Sequence, residues 1–223
     1  EGAGNVFCFG GRKFGKTLCT EILDMLLSMI HNEADDVGFS SYDALHIRGI
    51  LEKIIQTLEN HPFFKLFEAK INRSPTYRIY LNNGYTLQGV NMNLQGENPG
   101  AQFYQQHFKR LYLEEASFEP DEVNKKRLDS VSEMGCVYRI AGMTNFTKYS
   151  PPGRIFYDLD KRKWLVNFPQ YVNPHWDEKE DERATKEHGG KESLSYRIYV
   201  KGEIVEDGVS AIDMDRVRKN YDY

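Results

Sequence analysis

Val6-Phe7-Cys8-Phe9 runs straight into Gly10-Gly11-Arg12-Lys13-Phe14-Gly15-Lys16-Thr17, and the reading of the chain turns on this junction. Four apolar residues ending in a glycine pair describe a short buried strand entering a tight loop. The eight residues that follow satisfy G-x-x-x-x-G-K-[ST] at every fixed position, between a strand and a helix, where such a loop can act. Glycines let the backbone wrap around a phosphate with N–H groups turned inward, and the helix N-terminus adds partial positive charge. In that reading Gly10, Gly11, Arg12, Lys13, Phe14, Gly15, Lys16 and Thr17 bind phosphate. Lys16 reaches the outer phosphates and the Thr17 hydroxyl holds Mg²⁺.

Outward from the loop, Thr17 to His31 carries Leu18, Ile22, Leu26, Met29 and Ile30 and reads as a buried helix. Val37–Ser41 reads as a second strand. Ile47, Ile50, Leu51, Ile54, Ile55 and Leu58 step by three and four, which predicts one apolar helical stripe over Ala44 to Leu58. Tyr77–Leu81 and Tyr85–Leu87 flank Asn83-Gly84, a pair that tolerates the positive φ of a hairpin turn. Gly96 to Gly100 reads as a loop and Pro120 to Val131 as a polar helix. Leu111–Leu113 and Cys136–Ala141 read as further strands. After Pro151-Pro152 the strand-like segments Arg154–Tyr157 and Trp164–Phe168 are interleaved with Lys161-Arg162-Lys163. Asp177 to Glu187, six acids against three bases, reads as a solvated helix. Strands alternating with helices argue for an α/β fold with a mostly parallel sheet. The expected division is a core over 1–150 and a smaller lid or linker subdomain over 151–223 packed on it.

Composition narrows the class. The chain has 223 residues, 40% of them hydrophobic and 28% charged, enough apolar material for a packed core. Net charge is −4, which excludes a globally basic nucleic-acid binder and leaves room for local basic faces such as Lys125-Lys126-Arg127, Lys161-Arg162-Lys163 and Arg216, Arg218 and Lys219. No apolar run approaches the roughly 18 residues of a membrane span, and no basic-then-apolar leader opens the chain. Three cysteines without C-x-x-C spacing predict neither a disulfide framework nor a zinc site, and fit a reducing compartment.

A phosphate loop that hydrolyses its nucleotide needs a carboxylate near the metal and a second group to orient water. Glu114 and Glu115 end the Leu111-Tyr112-Leu113 strand, where such a pair belongs. Glu114 is assigned to Mg²⁺ and Glu115 to the attacking water; the first of the two is more commonly Asp. A third strand ends in Met143-Thr144-Asn145, where a hydroxyl or amide can sense the terminal phosphate.

These elements, in this order, resemble the large terminase subunit of tailed bacteriophages. Gly-Gly-Arg-x-x-Gly-Lys-Thr resembles its Walker A loop, Leu-Tyr-Leu-Glu-Glu-Ala (111–116) its Walker B, and Ala-Gly-Met-Thr-Asn (141–145) its coupling motif. Asn173-Pro174-His175 and Tyr196–Glu203 resemble the end of its ATPase domain and lid. The likeness implies a P-loop NTPase of the additional-strand, catalytic-glutamate type, with ATP and Mg²⁺ as ligands. It implies hydrolysis that drives double-stranded DNA into a procapsid, in the host cell cytoplasm. It implies a ring of copies of the chain, a portal protein and a small terminase subunit as partners, and no membrane. Arg12 is then a γ-phosphate contact in cis. Arg110 and Arg127 are the candidates for a finger reaching into a neighbour's site. The family carries an adenine-contacting segment ahead of the first strand, where five residues stand here, and a nuclease domain beyond the point where this chain ends, so nuclease activity is not expected of it. Two other classes stay open: a helicase-like P-loop ATPase acting on nucleic acid, and a nucleotide-binding module without turnover.

Overall fold

The computed structural model describes residues 6–31, 36–92, 94, 96–104, 106–131, 136–144, 150, 153–154 and 168–205, with the side chains of 129–131 left out. Asn145, Lys161-Arg162-Lys163, Arg216, Arg218 and Lys219 fall outside the described residues. By internal contacts the chain divides into two compact units. One comprises Glu1–Cys8 and Gly15–Gly142; the other comprises Phe9–Phe14 and Met143–Tyr223.

Among the described residues a seven-stranded sheet organises the fold. Its strands are β1 (Val6–Gly10), β2 (Asp36–Ser41), β3 (Lys70–Asn72), β4 (Arg78–Tyr80), β5 (Thr86–Asn91), β6 (Arg110–Leu113) and β7 (Val137–Met143). They lie in the order β1-β7-β6-β2-β5-β4-β3. β2 runs parallel to both β5 and β6, and β6 runs parallel to β7. β4 is antiparallel to both β3 and β5. The strand that feeds the phosphate loop is therefore not adjacent to the strand that ends in the acidic pair: β7 lies between them. That inserted strand defines the additional-strand class.

The larger unit is built on the apolar stripes that periodicity identified. A π-helical turn over Thr17–Ile22 leads into α1 (Leu23–His31), which buries Met25 and Met29 completely. In α2 (Ala44–Asn60), Ile47, Ile50, Leu51, Ile54, Ile55 and Leu58 are all buried against Val37, Phe39 and Leu87 of the sheet. Asp43 caps α2 by accepting the His46 N–H at 2.8 Å, which satisfies one of the orphan donors at the helix start. The hairpin forms at Asn83-Gly84, where Gly84 takes φ +91° and the Leu81 N–H donates to the Tyr85 carbonyl at 2.9 Å. β3 is a further edge strand with no clear period in its three residues. α3 (Asp121–Val131) follows the acidic pair.

In the smaller unit, α4 (Glu178–Glu187) and α5 (Leu194–Tyr199) are capped by Asp177 and Ser193. Ala184, Tyr196 and Val200 form their own small core with Trp176 beside it. Arg154 does not extend a strand. Gly153-Arg154 is helical, with the Arg154 N–H bonded to the Ser150 carbonyl at 2.9 Å.

Candidate active site

The loop glycines are needed first for close packing within the smaller unit. A Cβ on Gly11 would lie 2.7 Å from the Val200 carbonyl oxygen and 2.9 Å from that of Tyr199. The Gly11 N–H donates to Phe168 O at 2.9 Å and the Arg12 N–H to Tyr199 O at 2.8 Å. Two N–H groups expected to face phosphate are thus spent on protein backbone. The Lys13 carbonyl accepts from Asn173 Nδ2 at 2.5 Å, so the Asn173-Pro174-His175 segment is anchored to the loop itself. The Arg12 guanidinium lies 4.8 Å from the centre of the Tyr199 ring, and the Phe14 ring stacks on Phe168 at 5.4 Å. Lys13 (φ +58°) and Gly15 (φ +98°) take the left-handed turn that closes the loop.

In the larger unit the loop's second half meets the acidic pair. Lys16 Nζ lies 3.4 Å from Glu114 Oε1 and 3.7 Å from Glu115 Oε1. The Thr17 hydroxyl donates to Glu114 Oε1 at 2.6 Å. Glu114, one methylene longer than the more common Asp, reaches that hydroxyl directly. Both carboxylates approach one ammonium because Glu115 is left-handed, at φ +53° and ψ +42°. In a continuing strand neighbouring side chains would point to opposite faces. A non-glycine residue held there costs of order 1–3 kcal/mol.

Two residues without a sequence motif complete the cluster. His46, in the first turn of α2, places Nε2 3.8 Å from Glu114 Oε1. Glu21, one turn beyond Thr17, is fully buried and electrostatically coupled to Glu114. Its place four residues after the loop threonine is the sequence signal that marks Glu21. His46 has none beyond its place after a strand end.

Charge distribution follows from this crowding. Burial alone would depress the Lys16 ammonium, but Glu114, Glu115 and Glu21 outweigh it and the group is held above its usual value. Burial alone would raise Glu114; His46, Glu21, Lys16 and Thr17 outweigh it and hold that carboxyl far below the usual range. Glu21 goes the other way, pushed well above the carboxylate range by burial and by the Glu114 charge. His46 is raised by its contact with Glu114 against the opposing effect of burial.

Buried oxygens without hydrogen-bond donors concentrate here: Glu114 Oε2, Glu115 Oε2 and both oxygens of Glu21. Unpaired buried acceptors are costly, and a hard, all-oxygen set beside a threonine hydroxyl suits Mg²⁺. Among the described residues no group of three or more His, Cys, Asp or Glu is arranged to hold a metal by itself. Such an ion would therefore take its remaining ligands from phosphate and water.

Other assignments need correction or refinement. Arg127 is buried against Glu119, with Nε–Oε1 2.6 Å and Nη2–Oε2 3.1 Å. Arg110 is buried in β6 with Nη1 3.5 Å from Asp24, which also accepts from Tyr112 at 2.6 Å and Arg139 at 2.9 Å. Neither arginine projects from the surface as a finger into a neighbour must. Lys125-Lys126-Arg127 is not one basic face either. Consecutive helical residues are about 100° apart around the axis, so Lys125 is exposed while Lys126 turns inward to Glu122 and Asn98. Thr144 is buried in the smaller unit, and its hydroxyl donates to the Ile198 carbonyl of α5 at 3.3 Å.

A phosphate loop, an inserted strand and a paired acid at the end of the next strand define a P-loop NTPase fold of the additional-strand type. Within that class, the chain has the fold of the ATPase domain of phage large terminases. The large terminase of bacteriophage HK97 superposes with a TM-score of 0.70 at 12% identity, over 91% of this chain and 47% of that one. The large terminase of a thermophilic bacteriophage gives 0.66 at 15% identity, over 91% and 49%. The isolated ATPase domain of the Thermus phage P74-26 large terminase gives 0.67 at 12% identity, over 92% and 90%. The thermophilic phage's enzyme has also been solved with ADP and with ATP-gamma-S. The chain spans about half the length of the HK97 protein and of that enzyme. No protein-family model and no curated protein matches the sequence. Among the described residues no helix is long and apolar enough to cross a membrane.

Proposed function

We propose that this chain is the ATPase portion of a phage DNA-packaging motor, hydrolysing ATP to drive double-stranded DNA into a procapsid. One observation carries the reading: Lys16, Thr17, Glu114 and Glu115 converge within 2.6–3.7 Å from two distant stretches of sequence, in a fold shared with large terminases. Lys16 keeps its positive charge and offers it to phosphate oxygens. Arg12 is exposed and rests on the Tyr199 ring, a contact weak enough for the guanidinium to swing toward the terminal phosphate. Thr17 and Glu114 are the residues that would hold Mg²⁺, which when bound supplies charge to the phosphoryl oxygens. Glu115, set by its left-handed backbone, orients the attacking water and accepts its proton. Thr144, bonded to the α5 backbone within the smaller unit, stays assigned with Asn145 to sensing the phosphate state. The finger in trans comes from another residue than Arg110 or Arg127. A ring of copies of this chain, a portal protein and a small terminase subunit belong to this reading, as does action in the host cytoplasm.

Phosphate release from ATP, followed across protein concentration for the native chain and Glu115→Gln, tests it. The variant should bind nucleotide unchanged and lose about 10²–10⁴ in turnover, the usual contribution of a positioned base. Full turnover in the variant would refute the assignment.

A further inference from the structure

A pocket of the smaller unit has no part in the roles above. It is lined by Lys13, Gln170, Asn173, His175, Trp176 and Glu180, all of that unit. Backbone bonds build its wall. The Gln170 N–H donates to Val200 O at 2.7 Å, the Asn173 N–H to Gln170 O at 3.1 Å and the Trp176 N–H to Asn173 O at 2.9 Å. The Asn173 side chain serves the wall as well, donating to Lys13 O and accepting from the His175 N–H at 2.9 Å. Gln170 is different. It is 7% exposed, yet among the described residues no hydrogen bond reaches its side-chain amide. A buried amide without partners costs stability unless something else supplies them. Trp176, packed against Ala184, Tyr196 and Val200, adds a fixed aromatic ring. Lys13 and Glu180 bring opposite charges. The pocket encloses about 210 Å³, below the roughly 300–1,000 Å³ of sites for drug-sized ligands, which suits one planar ring system.

We propose that this pocket takes the base of the bound nucleotide, with Trp176 stacking on its face and the Gln170 amide pairing with its edge. A nucleobase is flat and uncharged and carries donors and acceptors side by side. A carboxamide has one of each and can match two neighbouring edge atoms at once. An indole ring stacks on any base, because every base has a π-face. The paired charges select against other occupants: an oxyanion would meet Glu180, and a guanidinium would meet Lys13. Lys13 belongs to the phosphate loop, so the pocket adjoins the loop within this unit. The inference rests on the ATPase reading for the nucleotide. It assigns Gln170 and Trp176, which lie outside both the phosphate loop and the acidic pair.

Calorimetric titration of the full chain with ADP and with pyrophosphate, which carries phosphates but no base, provides the test. Gln170→Met keeps the side chain's length and removes the amide. It should weaken ADP at least about fivefold, the lower end for a lost pairing to a base edge, and leave pyrophosphate affinity unchanged. Its melting temperature without nucleotide should equal or exceed the native value, because an unpartnered buried amide is removed; a purely structural glutamine would lose stability instead. Trp176→Leu gives an independent reading: the apolar contact with the small core stays, the stacking face goes, and ADP should weaken by about 5- to 150-fold. ADP affinity equal to the native value in either folded variant would overturn the inference, as would equal losses for ADP and pyrophosphate. A native chain that binds pyrophosphate as tightly as ADP would also overturn it and leave the ATPase reading standing. A native chain that binds neither would remove the ATPase reading, and this inference with it.

Discussion

The ion pair between Arg127 and Glu119 offers the sharpest separation of structural from catalytic roles. Both side chains are 2% exposed. The guanidinium donates twice to Glu119 and once, at 2.6 Å, to Asn124 Oδ1, and lies 5.4 Å from the centre of the Tyr138 ring. Glu119→Ala removes two charge-assisted bonds and strands a cation that water cannot reach. Breaking one side of such a buried pair costs about 3–5 kcal/mol. For a chain of this size each kcal/mol lowers the melting temperature by roughly 2–4 °C, so the loss should be about 6–20 °C. Arg127→Leu should lose stability too, because Glu119 is then the stranded charge. Replacing both by apolar residues of similar volume should recover much of the loss, since well-packed hydrophobic substitutes for a buried pair are often neutral or better. Thermal and urea unfolding of the two single variants and the double variant measure this directly, with phosphate release in parallel. Arg127→Leu with native stability and abolished turnover would refute the argument and restore Arg127 as a finger.

Gly89 on β5 packs under α2, and a Cβ there would lie 2.8 Å from Ile47 Cγ2 and 3.1 Å from Leu51 Cδ1. Gly89→Ala should therefore cost about 1–3 kcal/mol by overpacking, and an unchanged urea midpoint would mean that α2 gives way freely. Thr144→Val removes the bond to Ile198 O and should cost about 1 kcal/mol. If Thr144 also transmits the nucleotide state, turnover will fall further than the stability loss explains, and a fall in stability alone would rule that role out. Asp181 accepts from Lys191 at 2.5 Å and Tyr196 at 2.7 Å, which hold its carboxyl below the usual value. Its stabilising effect is present above the unfolded pKa of about 3.9 and disappears as pH falls through the lower folded value. Asp181→Asn should therefore lower the melting temperature at pH 7 and converge on the native chain in acid, and a difference that persists unchanged into acid would refute the pairing.

Local pattern carried a large part of this protein. Steps of three and four across Ile47 to Leu58 dictate a one-faced helix whatever packs on it. Asn83-Gly84 dictates a turn because both residues tolerate positive φ, and Gly10 to Thr17 dictates a phosphate loop because its chemistry lies in consecutive backbone N–H groups. Those are short-range properties, and a sequence states them directly. Tertiary structure decided what depends on partners remote in the chain. Arg127 and Lys126 read as surface cations until α3 turns them toward Glu119, Glu122 and Asn98. Gly11 reads as a phosphate glycine, yet its missing side chain is also required by the carbonyls of Tyr199 and Val200, near the far end of the described chain. Glu114 and Glu115 read as a pair, but only the left-handed backbone at Glu115 brings both onto Lys16. His46 and Glu21 belong to no motif and join the site because α2 begins just beyond the end of β2 and the turn after the loop begins at Glu114, beyond the end of β6. Burial and charge neighbours are properties of the assembled sheet, and no local spacing encodes them.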